Sequence, residues 1–198
     1  MQVRELMVPG ALEFTPVQHG DDRGLFLEWF KIDTLAAAVG HSLTLAQANL
    51  SVSRAATLRG VHFADVPPGQ AKYVTCPRGA VLDFVVDIRV GSPTFGISDV
   101  VRLDSEDRRA VYLSEGLGHA FLALEDNSTL TYLCSTGYAP GREHGINPVD
   151  PDLGLELPDG VDFLLSEKDA AAPTLAEAAE AGLLPTWEAC QQYAATLR

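Results

Sequence analysis

The chain is short of positive charge, of cysteine and of long apolar runs, and each shortage excludes something. Fourteen Lys and Arg stand against 27 Asp and Glu in 198 residues, a formal net charge of −13. Phosphate backbones and anionic membrane surfaces are held through basic fields, so neither nucleic acid nor a membrane is expected as a partner. No apolar run approaches the roughly 18 residues that a membrane-crossing helix needs. The N-terminal MQVRELMVPG lacks the basic segment and apolar core of a signal peptide. Cys76, Cys134 and Cys190 are odd in number and far apart, which leaves neither a disulfide framework nor a zinc spacing. A soluble protein of the reducing cytoplasm is the expectation. Two motifs are missing as well. There is no Gly-x-Gly-x-x-Gly to seat a nicotinamide dinucleotide. Among His19, His41, His62, His119 and His144 no pair falls at His-x-His or His-x-x-x-His, so a mononuclear metal site could be built only from scattered residues.

What the sequence does have is short strands. From Val81 to Ile88 the residues Leu82, Phe84, Val86 and Ile88 alternate with Val81, Asp83, Val85 and Asp87. That period of two, rich in β-branched side chains, reads as a strand. Ser128 to Cys134 alternates likewise, with Leu130, Tyr132 and Cys134 on one side. Gly20, Gly24, Pro67-Pro68-Gly69, Gly79, Gly91-Ser92-Pro93 and Gly116 punctuate residues 10–135 at turn-like intervals. Many short strands between such turns predict an all-β sandwich or barrel. Helices are few. One runs from Asp33 to Val39 and stops at Gly40. Thr174 and Glu177 form a capping box before Ala176 to Ala181, with Gly182 placed to end it, and Thr186 caps a last helix through Trp187, Cys190, Tyr193 and Leu197. The acidic excess is concentrated after residue 150. A single domain over residues 1–198 is expected, a barrel core of about 10–150 with a helical cover of about 165–198.

Polar residues gather between 47 and 72. Gln47, Asn49, Ser51 and Ser53 fall on one face of a strand and Ala48, Leu50 and Val52 on the other. Such a stripe is either a solvated outer face, the commoner outcome for an antiparallel sheet, or the lining of a wet pocket. Arg59 and His62, with Lys72 after a turn, make an electropositive pocket for an anionic small molecule reasonable in an otherwise acidic chain. His62 taken alone is more often a packed or surface histidine than a base. Tyr132, flanked on its face by Leu130 and Cys134, reads first as core. His19, His41 and His144 read as structural or exposed, and Trp187 as a packing anchor. Asp83 and Asp87 are either solvated or hydrogen-bonded within the barrel.

Several segments in collinear order resemble one family. They include Asp22-Arg23-Gly24-Leu25-Phe26-Leu27-Glu28, Gln47-Ala48-Asn49-Leu50-Ser51, Leu58-Arg59-Gly60-Val61-His62, Pro68-Gly69-Gln70-Ala71-Lys72 and Val86-Asp87-Ile88-Arg89. Gly91-Ser92-Pro93-Thr94-Phe95-Gly96, Gly118-His119-Ala120-Phe121, Tyr132, Tyr138 and Leu165-Ser166-Glu167-Lys168-Asp169 continue the match, which spans about residues 10–175. Together they resemble the dTDP-4-keto-6-deoxyglucose (dTDP-4-dehydrorhamnose) 3,5-epimerases. The tail Ala181-Gly182-Leu183-Leu184-Pro185 with Trp187 resembles the branch that serves antibiotic deoxysugar pathways.

The resemblance implies a jelly-roll (cupin-like) barrel with a few peripheral helices, mainly C-terminal. It also implies no metal, no cofactor, and a homodimer that exchanges edge strands. Its substrate would be a dTDP-4-keto-6-deoxyhexose, epimerised at carbon 3, carbon 5 or both. His62 matches the general base, Asp169 the carboxylate that orients it, Tyr132 the acid and Lys72 the residue near the enolate oxygen. Arg23, Glu28, Gln47, Asn49, Arg59, His119, Tyr138, Glu143 and Lys168 match positions that hold nucleotide and sugar. The pairing of His62 with Asp169, 107 residues apart, comes from the resemblance alone. Phe63-Ala64 and Asn147-Pro148 depart from the Tyr-Gln and Trp-Asn usual in rhamnose-pathway enzymes, which bears on sugar specificity. Different activities compatible with the residues are a 3,4-ketoisomerase on the same barrel, a non-catalytic nucleotide-sugar-binding barrel and a metal-dependent oxygenase.

Overall fold

The computed structural model describes residues 1–197. Two antiparallel sheets face each other. In the first, β1 (Gln2–Glu5), β2 (Ala11–Thr15), β10 (Ala110–Leu113), β7 (Lys72–Arg78), β12 (Ser128–Cys134) and β5 (Gln47–Ser53) lie in that order. The second runs β13 (Glu143–Gly145), β6 (Leu58–Ala64), β11 (Gly118–Ala123), β8 (Ala80–Val86) and β9 (Ser98–Asp104). This is an all-β jelly-roll barrel. A hairpin of β3 (Gln18–Asp21) and β4 (Gly24–Leu27) belongs to neither sheet and is almost wholly exposed.

Alternation along β8 explains why the barrel has two apolar layers. Val81 and Val85 point inward, to Val101, Leu103, Leu113 and Leu130. Phe84 and Val86 point outward, to Leu58, Val61 and Phe63 and to Leu175, Ala178 and Leu184 of the C-terminal segment. A strand buried on both faces carries apolar residues at nearly every position, as this one does. Burial of a side chain such as Phe84 or Leu175 stabilises by about 1.5–3 kcal/mol, so the C-terminal cover is held mainly through that outer layer. On the first sheet the outer layer is different. Leu35 of α1 (Ile32–Val39) and Leu43 pack on Leu12, Phe14, Tyr73 and Tyr112.

Three short helices follow the barrel: α2 (Glu167–Ala170), α3 (Leu175–Glu180) and α4 (Trp187–Thr196). The capping box at Thr174 and Glu177 is formed in both directions, and Thr186 caps α4 through Ala189 N–H. The helix that opens at Thr174 starts and stops one residue earlier than its periodicity suggests. The strand expected over Val81 to Ile88 ends at Val86, because Asp87 leaves the ladder. Its carboxylate accepts from the Arg89 guanidinium and from the Ser92 and Thr94 hydroxyls, drawing the chain into a turn. Arg89 in turn lies 4.5 Å over the Trp187 ring, so Trp187 anchors α4 to the barrel as a packing residue. Among the described residues no helix is long and apolar enough to cross a membrane.

Candidate active site

The site forms between β6 and β11, where His62 and His119 sit in register on neighbouring strands. Gly60 permits this closeness, since a Cβ there would lie 2.5 Å from the His119 carbonyl oxygen, and its φ of +117° suits only glycine. A cavity of about 250 Å³ is lined by Asn49, Ser51, Lys72, His119 and Tyr132. A wider mouth of about 450 Å³ is lined by Tyr138, Lys168, Ser166 and Asp169. Arg59, His62 and Glu143 line both, so the two are one recess. The polar stripe of β5 therefore faces a pocket. Its apolar partners Leu50 and Val52 face outward, 64% and 53% exposed.

His62 and Asp169 meet, with Nε2 and Oδ1 2.7 Å apart. The His62 side chain is half-exposed while that of Asp169 is nearly buried. Asp169 is fixed by α2: the Ser166 hydroxyl accepts from its backbone N–H. Burial alone would raise the Asp169 carboxyl, but hydrogen bonds and charge from His62, with Ser166 and the Gly60 backbone, hold it below the usual carboxylate range. With the Nε2 proton donated to that carboxylate, the imidazole keeps a lone pair on Nδ1, the tautomer a proton acceptor needs.

His119 forms a second such pair, 2.8 Å from Asp83, with both side chains buried. Asp83 is hydrogen-bonded inside the barrel, although its Oδ1 has no partner. His119 meets the Tyr132 ring edge-on at 6.1 Å. The Tyr132 hydroxyl is 3.2 Å from Ser51 Oγ, and burial pushes its pKa well up, so it stays protonated. Burial lowers the Lys72 pKa from 10.5, opposed by nearby Glu143 and Glu115. Lys72 faces the cavity, and no hydrogen bond or ion pair engages its ammonium among the described residues. Gln47 stands at the rim, donating to Asn49 at 2.7 Å and accepting from Tyr138 N–H at 2.9 Å. The recess thus holds a carboxylate-paired imidazole, a free ammonium and a protonated phenol, within reach of one bound molecule.

Two of the residues picked from the sequence are elsewhere. Arg23 points from the hairpin into solvent, paired only with Asp21, and Glu28 pairs with Lys31. Neither lines the recess of its own chain: the hairpin that carries Arg23, and that Glu28 directly follows, is paired into neither sheet. His144, read from the sequence as structural or exposed, is half-buried at the edge of the mouth, with Nε2 2.7 Å from Asp65 and its ring 5.4 Å from Phe63. Among the described residues no three His, Cys, Asp or Glu gather into a cluster able to hold a metal ion.

Known proteins resemble this chain in sequence and in fold. The sequence model of the dTDP-4-dehydrorhamnose 3,5-epimerases matches residues 5–177. A Mycolicibacterium smegmatis dTDP-4-dehydrorhamnose 3,5-epimerase is 60% identical over 198 residues, covering 100% of this chain and 98% of the relative. A Streptomyces niveus dTDP-4-dehydrorhamnose 3-epimerase is 57% identical, covering 96% and 92%. Among solved structures, the Mycobacterium tuberculosis rmlC epimerase superposes with a TM-score of 0.97 at 56% identity, covering 100% of both chains. ChmJ, a 3'-monoepimerase from Streptomyces bikiniensis in complex with dTDP-quinovose, does so at 0.95 and 53% identity, covering 98% of both. Family model, relatives and superposed barrels agree, and the chain belongs to the dTDP-4-dehydrorhamnose 3,5-epimerase family of isomerases.

Proposed function

We propose that this enzyme epimerises a dTDP-4-keto-6-deoxyhexose at carbon 3, carbon 5 or both, by removing a proton beside the 4-keto group and returning one on the opposite face. The observation that carries the reading is the His62–Asp169 pair in one recess with the unpartnered Lys72 ammonium. A C–H bond next to a ketone is acidic only because its conjugate base is an enolate, so the reaction needs a base and a cation at the oxygen. His62 is the base, kept in the right tautomer by Asp169. Lys72 stabilises the enolate oxygen, an electrostatic contribution that is often the larger share of such a rate enhancement. Tyr132 returns the proton. Nothing is oxidised and no group is transferred, so this chemistry calls for no cofactor.

Arg59 and Lys168 line the mouth, which supports a role for them as the cations that meet the diphosphate. Gln47, Asn49, Tyr138, Glu143 and His119 line or rim the same recess, where nucleoside and sugar would lie. Arg23 and Glu28 serve the site of a second copy of the chain, in a homodimer formed through the free hairpin and the β5 edge. Exposed Leu25, Phe26, Leu50 and Val52 support that reading. Leu50→Lys should therefore leave a folded monomer by light scattering, with KM raised and the circular dichroism unchanged. A dimer persisting in that variant would contradict the exchange. A reducing, cytoplasmic setting fits the three free, buried thiols.

Product analysis by NMR tests the reaction. A dTDP-4-keto-6-deoxyglucose sample should give an epimer whose carbonyl remains at carbon 4, whereas a carbonyl moved to carbon 3 would mean a ketoisomerase. Tyr132→Phe should lower net inversion by about 10²–10⁴-fold, the usual worth of a general acid. Proton exchange on the His62 side should survive in it. Inversion at the wild-type rate would remove Tyr132 from the mechanism.

A further inference from the structure

A second cavity, of about 360 Å³, lies on the outer face of the first sheet and shares no lining residue with the recess. Alternation on β10 turns Val111 and Leu113 into the barrel and Ala110 and Tyr112 outward, under α1. The cavity sits there between α1 and α4, with Leu6, Val8, Leu12, Val39 and Ala194 as its apolar wall. Gly116 lets the turn after β10 close on α4. Its φ is +88°, and a Cβ there would run into Cys190 Sγ.

Two polar side chains lining this cavity lack what burial demands. Tyr112 is 1% exposed, and its hydroxyl has no hydrogen-bond partner among the described residues. Buried phenols are normally bonded. Tyr73, beside it on β7, donates to the Trp29 carbonyl at 2.8 Å. Glu115 is 8% exposed and accepts from the Ser135 hydroxyl at 3.3 Å, with no ion pair among the described residues. The other charged groups at the cavity leave this carboxylate unbalanced. Arg89 is already engaged by Asp87 and by the Pro9 carbonyl oxygen. Glu5 adds a second negative charge, and His41 turns Nδ1 to the Ser42 carbonyl oxygen at 3.2 Å. Burial raises the Glu115 carboxyl pKa, the direction a carboxylate without a close cation takes.

We propose that this cavity is a second binding site, for a small primary amine on an apolar body. Its ammonium lies at Glu115 and the Tyr112 hydroxyl, and its hydrocarbon lies against Leu6, Val8, Leu12 and Val39. An ammonium offers three donors and no acceptor, which suits a carboxylate and a phenol oxygen. An anion would face Glu5 and Glu115 together, and an alcohol would leave the buried charge uncompensated. The volume falls in the range of small-molecule sites, about 300–1,000 Å³. The site is independent of the epimerase reading.

Trp187 lines this cavity and Trp29, the other of the two tryptophans, does not, so their indole N–H signals separate binding here from binding elsewhere. The experiment titrates ¹⁵N-labelled full-length protein with cyclohexylmethylamine, cyclohexylmethanol and cyclohexanecarboxylate. It is run at about pH 8, where the amine is charged, with dTDP present to fill the recess. The amine should move the Trp187 signal, leave that of Trp29 in place, and bind about tenfold tighter than the alcohol, as a charge-assisted hydrogen bond allows. The carboxylate should bind weakest. Glu115→Gln should bring the amine down to the affinity of the alcohol, and Tyr112→Phe should weaken it by a few-fold. Three probes of equal affinity would mean an unselective void. No response at Trp187 would mean that the Tyr112 hydroxyl meets water alone. Either result overturns the proposal from the wild type by itself, should a variant not fold. Undiminished amine affinity in folded Glu115→Gln would overturn it as well.

Discussion

His62→Asn is expected to fold as the wild type does and to lose turnover of the 4-keto sugar by about 10²–10⁴-fold or more. The His62 side chain is half-exposed and outside the two apolar layers of the barrel, so replacing it opens no cavity in them. The carboxylate left behind keeps Ser166 and the Gly60 N–H as partners, and the recess keeps Lys72, Arg59 and Lys168 for binding. Nucleotide affinity should therefore change little, while the chemical step loses its proton acceptor. That split, kcat lost and dTDP binding retained, is the signature of a base, because an interaction made only in the transition state lowers kcat and leaves the ground state alone. Calorimetry with dTDP and a progress curve on the same sample check it. A His62→Asn enzyme that turns over normally would remove the dyad from the reaction.

Asp87→Asn should have the largest effect on stability. Asp87 and Arg89 are both buried, joined by two charge-assisted bonds of 2.7 and 2.8 Å. The same carboxylate takes the Ser92 and Thr94 hydroxyls at 2.6 Å each. Removing the negative partner strands a guanidinium in the interior, which typically costs about 3–5 kcal/mol. For a chain of this length that corresponds to a fall in Tm of roughly 6–20 °C. Because Arg89 lies against Trp187, the tryptophan emission should change with the same transition. The Asp87 carboxyl is under a burial penalty, but Arg89 and the hydroxyls outweigh it and set its pKa below 3.8. A carboxyl depressed by folding adds stability above its unfolded pKa and loses it as pH falls through the folded one. The wild type should thus lose this contribution only below the ordinary carboxylate range, while Asp87→Asn lacks it at every pH. A variant within 1 kcal/mol of wild type would show that the pair is dispensable.

How much of this was legible beforehand depended on whether the signal was local. Alternation placed β12 to the residue, and the capping box at Thr174 and the Thr186 cap placed α3 and α4 to within one residue, because strands and caps are written in neighbouring side chains. The end of β8 was not visible: Asp87 keeps the alternation in sequence, and only its three-dimensional partners at 89, 92 and 94 break the ladder. The polar stripe of β5 had two physically sound readings, and the deciding fact was which sheet face looks into the barrel. His62 and Lys72 lie in one polar stretch and could be nominated from composition. The pairing of Asp169 with His62 and of Asp83 with His119 could not, since no spacing rule links residues brought together by sheet order. The hairpin shows the same limit from the other side. Arg23 and Glu28 match the family's motif, yet nothing local says that a chain's own recess will not contain them.

One measurement bears on all of this most directly: the NMR time course of the enzyme with dTDP-4-keto-6-deoxyglucose in deuterated water, read position by position. The account predicts deuterium at carbon 3, carbon 5 or both, with the carbon-4 carbonyl unmoved and no label at carbons 1 and 2. A sugar recovered without label, from an enzyme that binds dTDP, would contradict it.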